Sequence, residues 1–570
     1  PNKLSDDGTV ALQQLNFSHD GRYLAYVITR NGSDWNEIYV LDLTTGQQLA
    51  DHIRWAKFTD AQWLGDGFFY SAYDAPEDAK SSKNEYHKVM YHKLGTPQSD
   101  DYVEYRSHTN PLLFYQAMVS DDERFVFILE SDGDGNRLYA KDLNDRNPHY
   151  VRLAGDMKYT CTPVGVDNGK IYAHTNAGAP CWKVVAFDAN RLGEANVADF
   201  IAEKQWVLSG VDMAGHNFIV TYDKDASNHP YLYSAEGKEL REIKLPTFGS
   251  VGFSSKNTDS EVFYTFTSYT TPARVYSYDM ASGESQLVFA PKVPLDPSRY
   301  ATEQVFYTSK DGTKIPMFLI YKKGIRRDGQ RPTLVYGYGG FNISMTPGYS
   351  YYRVPFALLD MGGVYAVANL RGGGEYGEQW HEAGTKMKKQ NVFDDFIAAA
   401  EYLIKEGYTC PSKLACNGGS NGGLLVGAVV NQRPDLYAAA VPQVGVMMRY
   451  HLFTIGWNWA HDYGRSDDSS AMAQYLLSYS PLHNIKNDGT HYPAIMVTTS
   501  DHDDRVVPAH SFKYAATLQA SNTGSAPKLI RIDSKAGHGH GKPVAKVIEE
   551  YTDVQSFIMQ SLGVKYRYSK

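Results

Sequence analysis

The sequence predicts two domains of different fold class, an all-β propeller followed by an α/β domain with a doubly wound sheet. Strand-like units recur through the first half, and strands alternate with helical segments in the second half. The stretch Ala290–Pro297 carries three prolines and marks a linker between the two patterns. We therefore expect a propeller over residues 1–290 and an α/β domain over residues 298–570.

Six short units recur along the first half at spacings of roughly 43–52 residues, the range of propeller blades. Alternating apolar strands with Asp-Gly hairpin signals lie between them, as in Phe17–Tyr26. We therefore expect six visible blades. The units are Ile38–Asp42, Val89–His92, Leu138–Asp142, Val184–Asp188, Tyr231–Tyr233 and Val275–Asp279.

The composition argues against several classes of partner. The net charge is −8 over 570 residues, and the charges are scattered, whereas nucleic-acid-binding proteins usually carry basic clusters. No apolar run reaches the length of a membrane span, and no signal pattern stands at the N-terminus. We therefore expect a monomer, in the cytoplasm or the periplasm, that binds neither nucleic acid nor a membrane.

No metal or other cofactor is predicted. The run Asp132–Asn136 resembles the start of a calcium-binding loop, but Arg137 stands where that loop needs glycine and Leu143 where it needs glutamate. We interpret the run as a hairpin turn. The four cysteines do not make a disulfide framework, so we expect free thiols.

The second half opens with the alternation that a parallel sheet requires. A helix is predicted from about Val392 to Lys405, with Asp394 and Asp395 in its first turn, where acidic residues interact favourably with the helix dipole. The strands predicted before it are Met317–Tyr321, Thr333–Tyr336 and Val364–Ala368.

The run Gly418–Gly423 contains the G-x-S-x-G pattern around Ser420. Lys413–Cys416 before it predicts a short buried strand, and Leu424–Val430 after it predicts the start of a buried helix. A serine on such a sharp turn needs small neighbours, and glycines on both sides supply the room. Because the pattern also occurs by chance, its assignment to a nucleophile depends on partners.

Two later loops supply an acid and a histidine in the order expected of an α/β-hydrolase. The predicted strand Ala494–Thr499 runs into Asp501–Pro508, and the predicted strand Leu529–Ile532 runs into Ser534–Gly541. Ligands of open α/β sheets gather at the carboxyl edge of the strands. The three side chains can therefore converge although they are far apart in sequence.

These residue types are the ones that nucleophilic catalysis needs. The Ser420 hydroxyl requires a base to take its proton, and a carboxylate must hold that base in one tautomer. Spacing leaves both His538 and His540 open as the base. It also leaves several acids open as the carboxylate: Asp501, Asp503, Asp504 and Asp533.

Five motifs stand in one order in the second half: Tyr336–Phe341, Arg371–Gly377, Gly418–Gly423, Asp501–Pro508 and Ala536–Gly539. Together they resemble prolyl oligopeptidase, a family of serine peptidases that cleave after proline. The family combines an α/β-hydrolase domain with a seven-bladed propeller. The similarity runs through the whole chain and is densest from about Ser309 to Glu550.

The resemblance assigns the catalytic roles by motif position. It implies Ser420 as the nucleophile, Asp503 as the carboxylate and His538 as the base. It also implies an oxyanion hole built from the backbone N–H of Asn421 and the hydroxyl of Tyr338. A phenol at a strand end can aim a donor at the developing negative charge.

The resemblance also implies a proline pocket with an aromatic floor. Trp459 would stack on the proline ring, and Arg505 would hydrogen-bond a substrate carbonyl one residue upstream. Val446–His451 is about two residues shorter than the family pattern, and Trp457 is an alternative floor. A flat apolar slot suits a ring without a donor. The implied walls are Phe341, Val446, Tyr463 and Val506.

The resemblance implies an endopeptidase that hydrolyses short proline-containing peptides, with the propeller as a lid that excludes folded proteins. It also implies a seventh blade and an N-terminal segment packed on the catalytic domain. The sequence provides six units, so we expect this chain to lack most of that part. A missing blade leaves strand edges exposed and leaves the activity of this form open.

Three alternatives stay open at this level. One is a peptidase of another specificity, such as cleavage after Arg or Lys, because Asp462, Asp467 and Asp468 lie near Trp459 in sequence. Another is a carboxylesterase that uses the same three catalytic residues. The third is a propeller scaffold with an inactive hydrolase half. The aromatic slot favours proline over a basic residue.

Overall fold

The computed structural model describes residues 4–5, 9–75, 85–133, 135–350, 353–448, 459–539, 542 and 544–565. Within this part of the chain, the first half consists of six four-stranded antiparallel blades. A single pairing of Ala56 with Ala72 joins the first two blades into one sheet. The prediction of a propeller with six visible blades is therefore confirmed.

The blades follow one another in chain order, four strands to each. Their bounds are β1 (Val10–Phe17), β2 (Tyr23–Arg30), β3 (Asn36–Asp42), β4 (Gln47–Ala56), β5 (Gln62–Leu64), β6 (Gly67–Ala72), β7 (Lys88–Lys93), β8 (Tyr102–Arg106), β9 (Phe114–Val119), β10 (Phe125–Ser131), β11 (Asn136–Asp142), β12 (Val151–Ala154), β13 (Cys161–Asp167), β14 (Lys170–Thr175), β15 (Lys183–Asp188), β16 (Val197–Ile201), β17 (Val207–Ala214), β18 (Asn217–Lys224), β19 (Ser227–Tyr233), β20 (Glu239–Glu242), β21 (Ser250–Ser254), β22 (Glu261–Thr267), β23 (Arg274–Asp279) and β24 (Ser285–Phe289).

Each of the six repeated units in the sequence lies on the third strand of its blade, from β3 to β23. Successive blades then pack face to face through apolar clusters. In the first cluster, Val27 and Ile38 of blade one meet Phe68 and Tyr70 of blade two. The repeat is visible in the sequence because each blade places a strand of similar composition at the same position.

The second half contains a single eight-stranded sheet in the order β25-β26-β28-β27-β29-β30-β31-β32. The pairs β25–β26 and β26–β28 are antiparallel, and all later neighbours are parallel. The strands are β25 (Tyr300–Thr308), β26 (Lys314–Lys322), β27 (Thr333–Tyr336), β28 (Val364–Ala368), β29 (Leu414–Gly419), β30 (Ala439–Gln443), β31 (Ala494–Ser500) and β32 (Lys528–Asp533).

Helices cover both faces of this sheet, which confirms the doubly wound α/β fold. The apolar core on one face includes residues from four helices, 390–405, 421–432, 470–479 and 509–520. The core on the other face includes residues from helices 356–360 and 544–561. The helices are α1 (Phe356–Asp360), α2 (Glu378–Glu382), α3 (Gln390–Lys405), α4 (Asn421–Gln432), α5 (Ala460–Tyr463), α6 (Ser470–Tyr479), α7 (Ala509–Ala520) and α8 (Val544–Ser561).

The start of α3 corrects one expectation from the sequence. The helix begins at Gln390, two residues before the predicted start, so Asp394 and Asp395 fall in its second turn. Asp395 is fully buried, and its carboxylate pairs with the Arg371 guanidinium at 2.6 Å. This acid therefore anchors the Arg371–Gly377 motif to the helix and does not act on the helix dipole.

Candidate active site

The three predicted catalytic residues each follow the carboxyl end of a parallel strand. Ser420 comes directly after β29, Asp503 follows β31, and His538 follows β32. These strands lie within four consecutive positions of the sheet, β29-β30-β31-β32. Tyr338 follows β27 and Val446 follows β30, so five neighbouring strands deliver side chains to one edge.

Ser420 occupies a strained turn between β29 and α4. Its backbone has φ 58° and ψ −114°, and its N–H donates to the Gln443 carbonyl oxygen at 2.8 Å. A Cβ at Gly418 would lie 2.4 Å from the Gly422 carbonyl oxygen, and one at Gly422 would lie 2.6 Å from the Gly337 oxygen. The glycines are therefore required by close backbone approach, and the turn has the geometry of a nucleophile elbow.

Asp503 and His538 form a close pair. The Nδ1 atom of His538 lies 2.7 Å from Oδ2 of Asp503. The other oxygen of Asp503 accepts the backbone N–H groups of Arg505 at 3.0 Å and Val506 at 2.8 Å. Within the described residues, the Ser420 hydroxyl makes no hydrogen bond to His538, and catalytic hydrogen bonds are often long before substrate binds.

The other acids left open by the sequence have different partners. Asp501 pairs with the neighbouring His502, and Asp533 pairs with Lys542. Asp504 accepts hydrogen bonds from the Ser33 hydroxyl and the Asp34 N–H, both on the propeller. Of these carboxylates, Asp503 is the one that meets His538. His540, the other candidate base, lies outside the described residues.

The two predicted oxyanion donors follow neighbouring strands of the sheet, Tyr338 after β27 and Asn421 after β29. Asn421 is the first residue of α4, where backbone N–H groups have no partner within the helix. Tyr338 and Ser420 line the same cavity, and the Ser420 side chain interacts with the Tyr338 phenol. Burial raises the pKa of Tyr338 well above its ordinary value, so the phenol remains a hydrogen-bond donor at neutral pH.

A cavity of about 480 Å³ opens beside Ser420 between the two domains. Four of the predicted pocket residues, Phe341, Val446, Trp459 and Tyr463, line it on the α/β side. The Phe341 and Tyr463 rings meet edge to face with centroids 5.4 Å apart. This size is typical of small-ligand sites. Trp457, the alternative floor, lies outside the described residues.

Val506 and Arg505 differ in position from the other predicted pocket residues. Val506 is buried in the apolar core that also contains Trp459, and its N–H supports Asp503. Arg505 lines the cavity, but its guanidinium binds the Asp34 carboxylate on the propeller, with Nη2 at 2.8 Å. In this arrangement the Arg505 side chain, which is predicted to hydrogen-bond a substrate carbonyl, is bound to blade one.

Several propeller residues line the same cavity and were missed by the sequence reasoning. They come from loops and strand ends of the first three blades, where the sequence shows only the blade repeat. Their place in the cavity that Ser420 lines depends on how the two domains dock, and no local sequence pattern indicates that docking. These residues are Asp34, Lys57, Phe58, Tyr73, Phe114 and Gly133.

Asp462 lies behind the pocket wall, and its carboxylate binds three neighbouring residues. Its carboxylate accepts the Phe341 N–H at 2.8 Å and binds Lys389 at 3.1 Å and His381 at 3.0 Å. Burial acts to raise the pKa of Asp462, but the Lys389 charge and His381 hold it below its ordinary value. The carboxylate therefore fixes Phe341, whose φ of 57° is strained, and is not available to a substrate cation.

Comparison with known proteins agrees with this geometry. Residues 1–291 match the family described as prolyl oligopeptidase, N-terminal beta-propeller domain, and residues 349–565 match the prolyl oligopeptidase family. The chain belongs to the prolyl oligopeptidase family. The first match covers the propeller of this prolyl oligopeptidase family member, and the second spans Ser420, Asp503 and His538.

Similar proteins cover nearly the whole chain. A prolyl endopeptidase of Elizabethkingia miricola is 46% identical over an alignment of 572 residues that covers 99% of this chain and 80% of that protein. A solved prolyl endopeptidase structure has a TM-score of 0.93 at 39% identity, covering 99% of this chain and 84% of the other. Prolyl oligopeptidase B of Galerina marginata, bound to a 35mer substrate, has a TM-score of 0.93 at 32% identity over 99% and 82%.

The described residues also bear on the expectations for cysteines, metal sites and membrane spans. Its four cysteines are free thiols, as predicted. Among the described residues, no group of three or more His, Cys, Asp or Glu is arranged to hold a metal ion. None of the helices in that part combines the length and the apolar character needed to span a bilayer.

Proposed function

We propose that this chain is a serine endopeptidase that hydrolyses short peptides on the carboxyl side of proline. Ser420 attacks the carbonyl carbon of the proline residue while His538 takes the hydroxyl proton. His538 then gives that proton to the leaving amine, and an acyl-enzyme remains on Ser420. A water molecule, activated by the same imidazole, releases the peptide and restores the serine.

The surrounding groups supply the remaining stabilisation. Asp503 holds the His538 imidazole in one tautomer through its 2.7 Å contact and stabilises the imidazolium that forms. The Asn421 N–H and the Tyr338 hydroxyl bind the oxyanion of the tetrahedral intermediate. Each such donor lowers the barrier by roughly 2.7–4 kcal/mol.

The observation that carries the proposal is the apolar, aromatic wall beside Ser420. Trp459, Phe341 and Tyr463 border the cavity into which the serine faces. A pyrrolidine ring has no N–H donor and a fixed φ, so a flat apolar slot accepts it without leaving polar groups unpaired. The charged groups of the cavity are paired with one another, because Arg505 binds Asp34 and Asp504 faces Lys57.

Cleavage after Arg or Lys has less support from the same site. Asp462 is buried against Lys389 and His381, and Asp467 is exposed and paired with Arg465. Asp468 accepts the backbone N–H of Arg465. Each acid considered for a basic specificity therefore has its own partner, away from the cavity lining.

Matched chromogenic peptides test the specificity directly. Two substrates that differ only in Pro or Arg before the scissile bond are compared by kcat/KM. We expect the arginine peptide to be cleaved at least about 10²-fold less efficiently, since the pocket offers no free carboxylate to a buried guanidinium. Equal or preferred cleavage after arginine would refute the proline assignment.

Ser420→Ala tests the nucleophile. We expect it to abolish labelling by a fluorophosphonate and to lower kcat by about 10⁶-fold. Ser412→Ala is the matched control, because this exposed serine precedes β29 at the opposite end of the strand. Retained turnover in Ser420→Ala, or loss in Ser412→Ala, contradicts the assignment of Ser420.

A further inference from the structure

We infer that the Tyr463 hydroxyl and the Asn421 side chain together position the oxyanion hole, so Tyr463 serves the chemical step as well as the pocket wall. The inference rests on the proposed function, because it assigns a positioning role within that reaction. It makes Tyr463 a positioning residue that acts through Asn421, with no contact to the oxyanion itself.

Two short hydrogen bonds connect the pocket wall to both oxyanion donors. The Tyr463 hydroxyl donates to Oδ1 of Asn421 at 2.7 Å. Nδ2 of the same amide donates to the backbone carbonyl oxygen of Tyr338 at 2.6 Å. Tyr463 is 0% exposed and Asn421 is 1% exposed, so water does not compete for the bond between them. The residues come from α5, α4 and the loop after β27.

The Asn421 side chain is held at both ends, and this fixes the residue whose backbone N–H points at the oxyanion. The same amide fixes the backbone of Tyr338, whose hydroxyl is the second donor. Gly340 leaves the space that this requires, because a Cβ there would lie 2.6 Å from Nδ2 of Asn421. Without the Tyr463 hydroxyl, Oδ1 of Asn421 becomes a buried acceptor without that donor, and the amide loses its fixed orientation.

Tyr463 is itself immobilised by its surroundings. The Lys389 ammonium lies 5.2 Å from the centre of its ring, and the Phe341 ring packs edge to face against it. Lys389 is tied in turn to the Gly339 carbonyl oxygen at 3.0 Å and to Asp462. The hydroxyl therefore projects from a rigid wall, which is the property that a positioning group needs.

The same helix offers a control with matching chemistry at its other end. The buried Tyr492 hydroxyl donates to Oδ1 of Asn431 at 2.9 Å, and Nδ2 of Asn431 donates to the Pro481 carbonyl oxygen at 2.9 Å. This tyrosine–asparagine–carbonyl chain repeats the first one residue type by residue type. It lies at the C-terminal end of α4, whereas Ser420 precedes the N-terminal end.

The experiment compares Tyr463→Phe with Tyr492→Phe in the full chain. For a proline peptide, we expect Tyr463→Phe to lower kcat by about 10- to 100-fold, less than the loss of a direct donor, with KM within twofold of wild type. Tyr492→Phe should leave both constants near wild type. A peptide aldehyde, whose hemiacetal oxygen enters the oxyanion hole, should bind Tyr463→Phe weaker by the same factor, and the corresponding alcohol should bind unchanged.

The outcomes separate this inference from the proposed function. Equal kcat in the two variants, or a change in KM alone, overturns the positioning role. Weakened binding of the alcohol also overturns it, since that shows a damaged pocket. If Tyr463→Phe does not fold, Asn421→Ala decides, because it removes both hydrogen bonds and keeps the backbone N–H. A wild-type protein that does not cleave after proline refutes the proposed function instead.

Discussion

Single side chains decide the chemistry of the loop after β31, where three carboxylates within four residues have three different partners. Asp501 faces His502, Asp503 faces His538, and Asp504 faces the propeller. The sequence supplies all three acids but cannot rank them, because each partner except His502 comes from a distant segment. The family motif points to Asp503, and the geometry brings that residue to His538.

Asp503→Asn tests this arrangement. The amide keeps an oxygen for the N–H groups of Arg505 and Val506, but its NH₂ group cannot accept the Nδ1–H of His538. The imidazole then loses its tautomer, and we expect kcat to fall by about 10⁴-fold with little change in KM. Steady-state kinetics with a proline peptide measures both constants.

Asp501→Asn is the control for that variant. It removes one carboxylate from the same loop, beside a histidine that faces no catalytic group in the described residues. We expect its kcat to stay within a few-fold of wild type. If Asp501→Asn loses as much activity as Asp503→Asn, the charge of the loop, and not the contact with His538, controls catalysis.

At the scale of elements, the turn between β2 and β3 docks on the loop that carries His538. A Cβ at Gly32 would lie 2.3 Å from the Gly537 nitrogen, and one at Gly537 would lie 1.8 Å from the Gly32 oxygen. Backbone therefore meets backbone across the domain boundary. Asp34 in the same turn binds Arg505, so one turn of blade one contacts two loops of the active site.

Gly32→Ala tests this contact. The new methyl group must push apart the β2–β3 turn and the loop of His538, and displacing a catalytic loop by about 1 Å can cost 10²-fold in rate. We therefore expect kcat/KM for a proline peptide to fall by about that factor. The measurement pairs steady-state kinetics with a thermal unfolding midpoint.

Gly46→Ala controls for backbone strain. Gly46 has φ +70°, close to the +69° of Gly32, but a Cβ there meets nothing within 4 Å. Both variants carry the left-handed backbone penalty of about 1–2 kcal/mol. Only Gly32→Ala should lose activity, and similar losses in both variants would show that stability alone is responsible.

The elements were largely predictable, because their signals are local. The strands β27 and β28 have the predicted bounds, whereas α4 begins at Asn421, three residues before its predicted start at Leu424. The repeat in the sequence identified the third strand of each of the six blades. The docking of blade one on Arg505 was not predictable, because Asp34 sits in an ordinary hairpin turn, and rigid packing of two domains places it there.

At the scale of the whole molecule, the Arg371–Gly377 motif and its helix join the two domains. The Tyr376 hydroxyl donates to Asp225 of blade five at 2.7 Å, and Asn176 of blade four donates to Glu378 at 3.0 Å. In the same motif, Glu375 is 1% exposed and accepts the Met345 N–H at 2.9 Å and the Asn369 amide at 3.2 Å. Its charged neighbour at this boundary is Asp223, and the buried phenol of Tyr269, which is neutral, also lies near it.

Glu375 makes the stability of the molecule depend on pH. Burial, helped by the charge of Asp223, raises the pKa of Glu375 from 4.5 to about 7. Between these values the unfolded chain binds fewer protons than the folded chain, so the free energy of unfolding falls as pH rises. We expect the titration of Glu375 to lower the free energy of unfolding by about 3 kcal/mol as the pH rises from about 4.5 to 7. Glu375→Gln should remove that pH dependence. Above about pH 7, denaturant unfolding should give a higher free energy of unfolding for this variant than for the wild type.

Glu378→Gln should behave in the opposite sense and serves as the control. Burial acts to raise the pKa of Glu378, but hydrogen bonds from His381, Asn176 and Asn342 hold it below its ordinary value. Its stabilisation is therefore present above the unfolded pKa and is lost as pH falls through the folded pKa. Glu378→Gln should be less stable than wild type at neutral pH, with the difference closing on acidification. If both variants shift the curve in the same direction, these carboxylates do not set the pH dependence of the domain boundary.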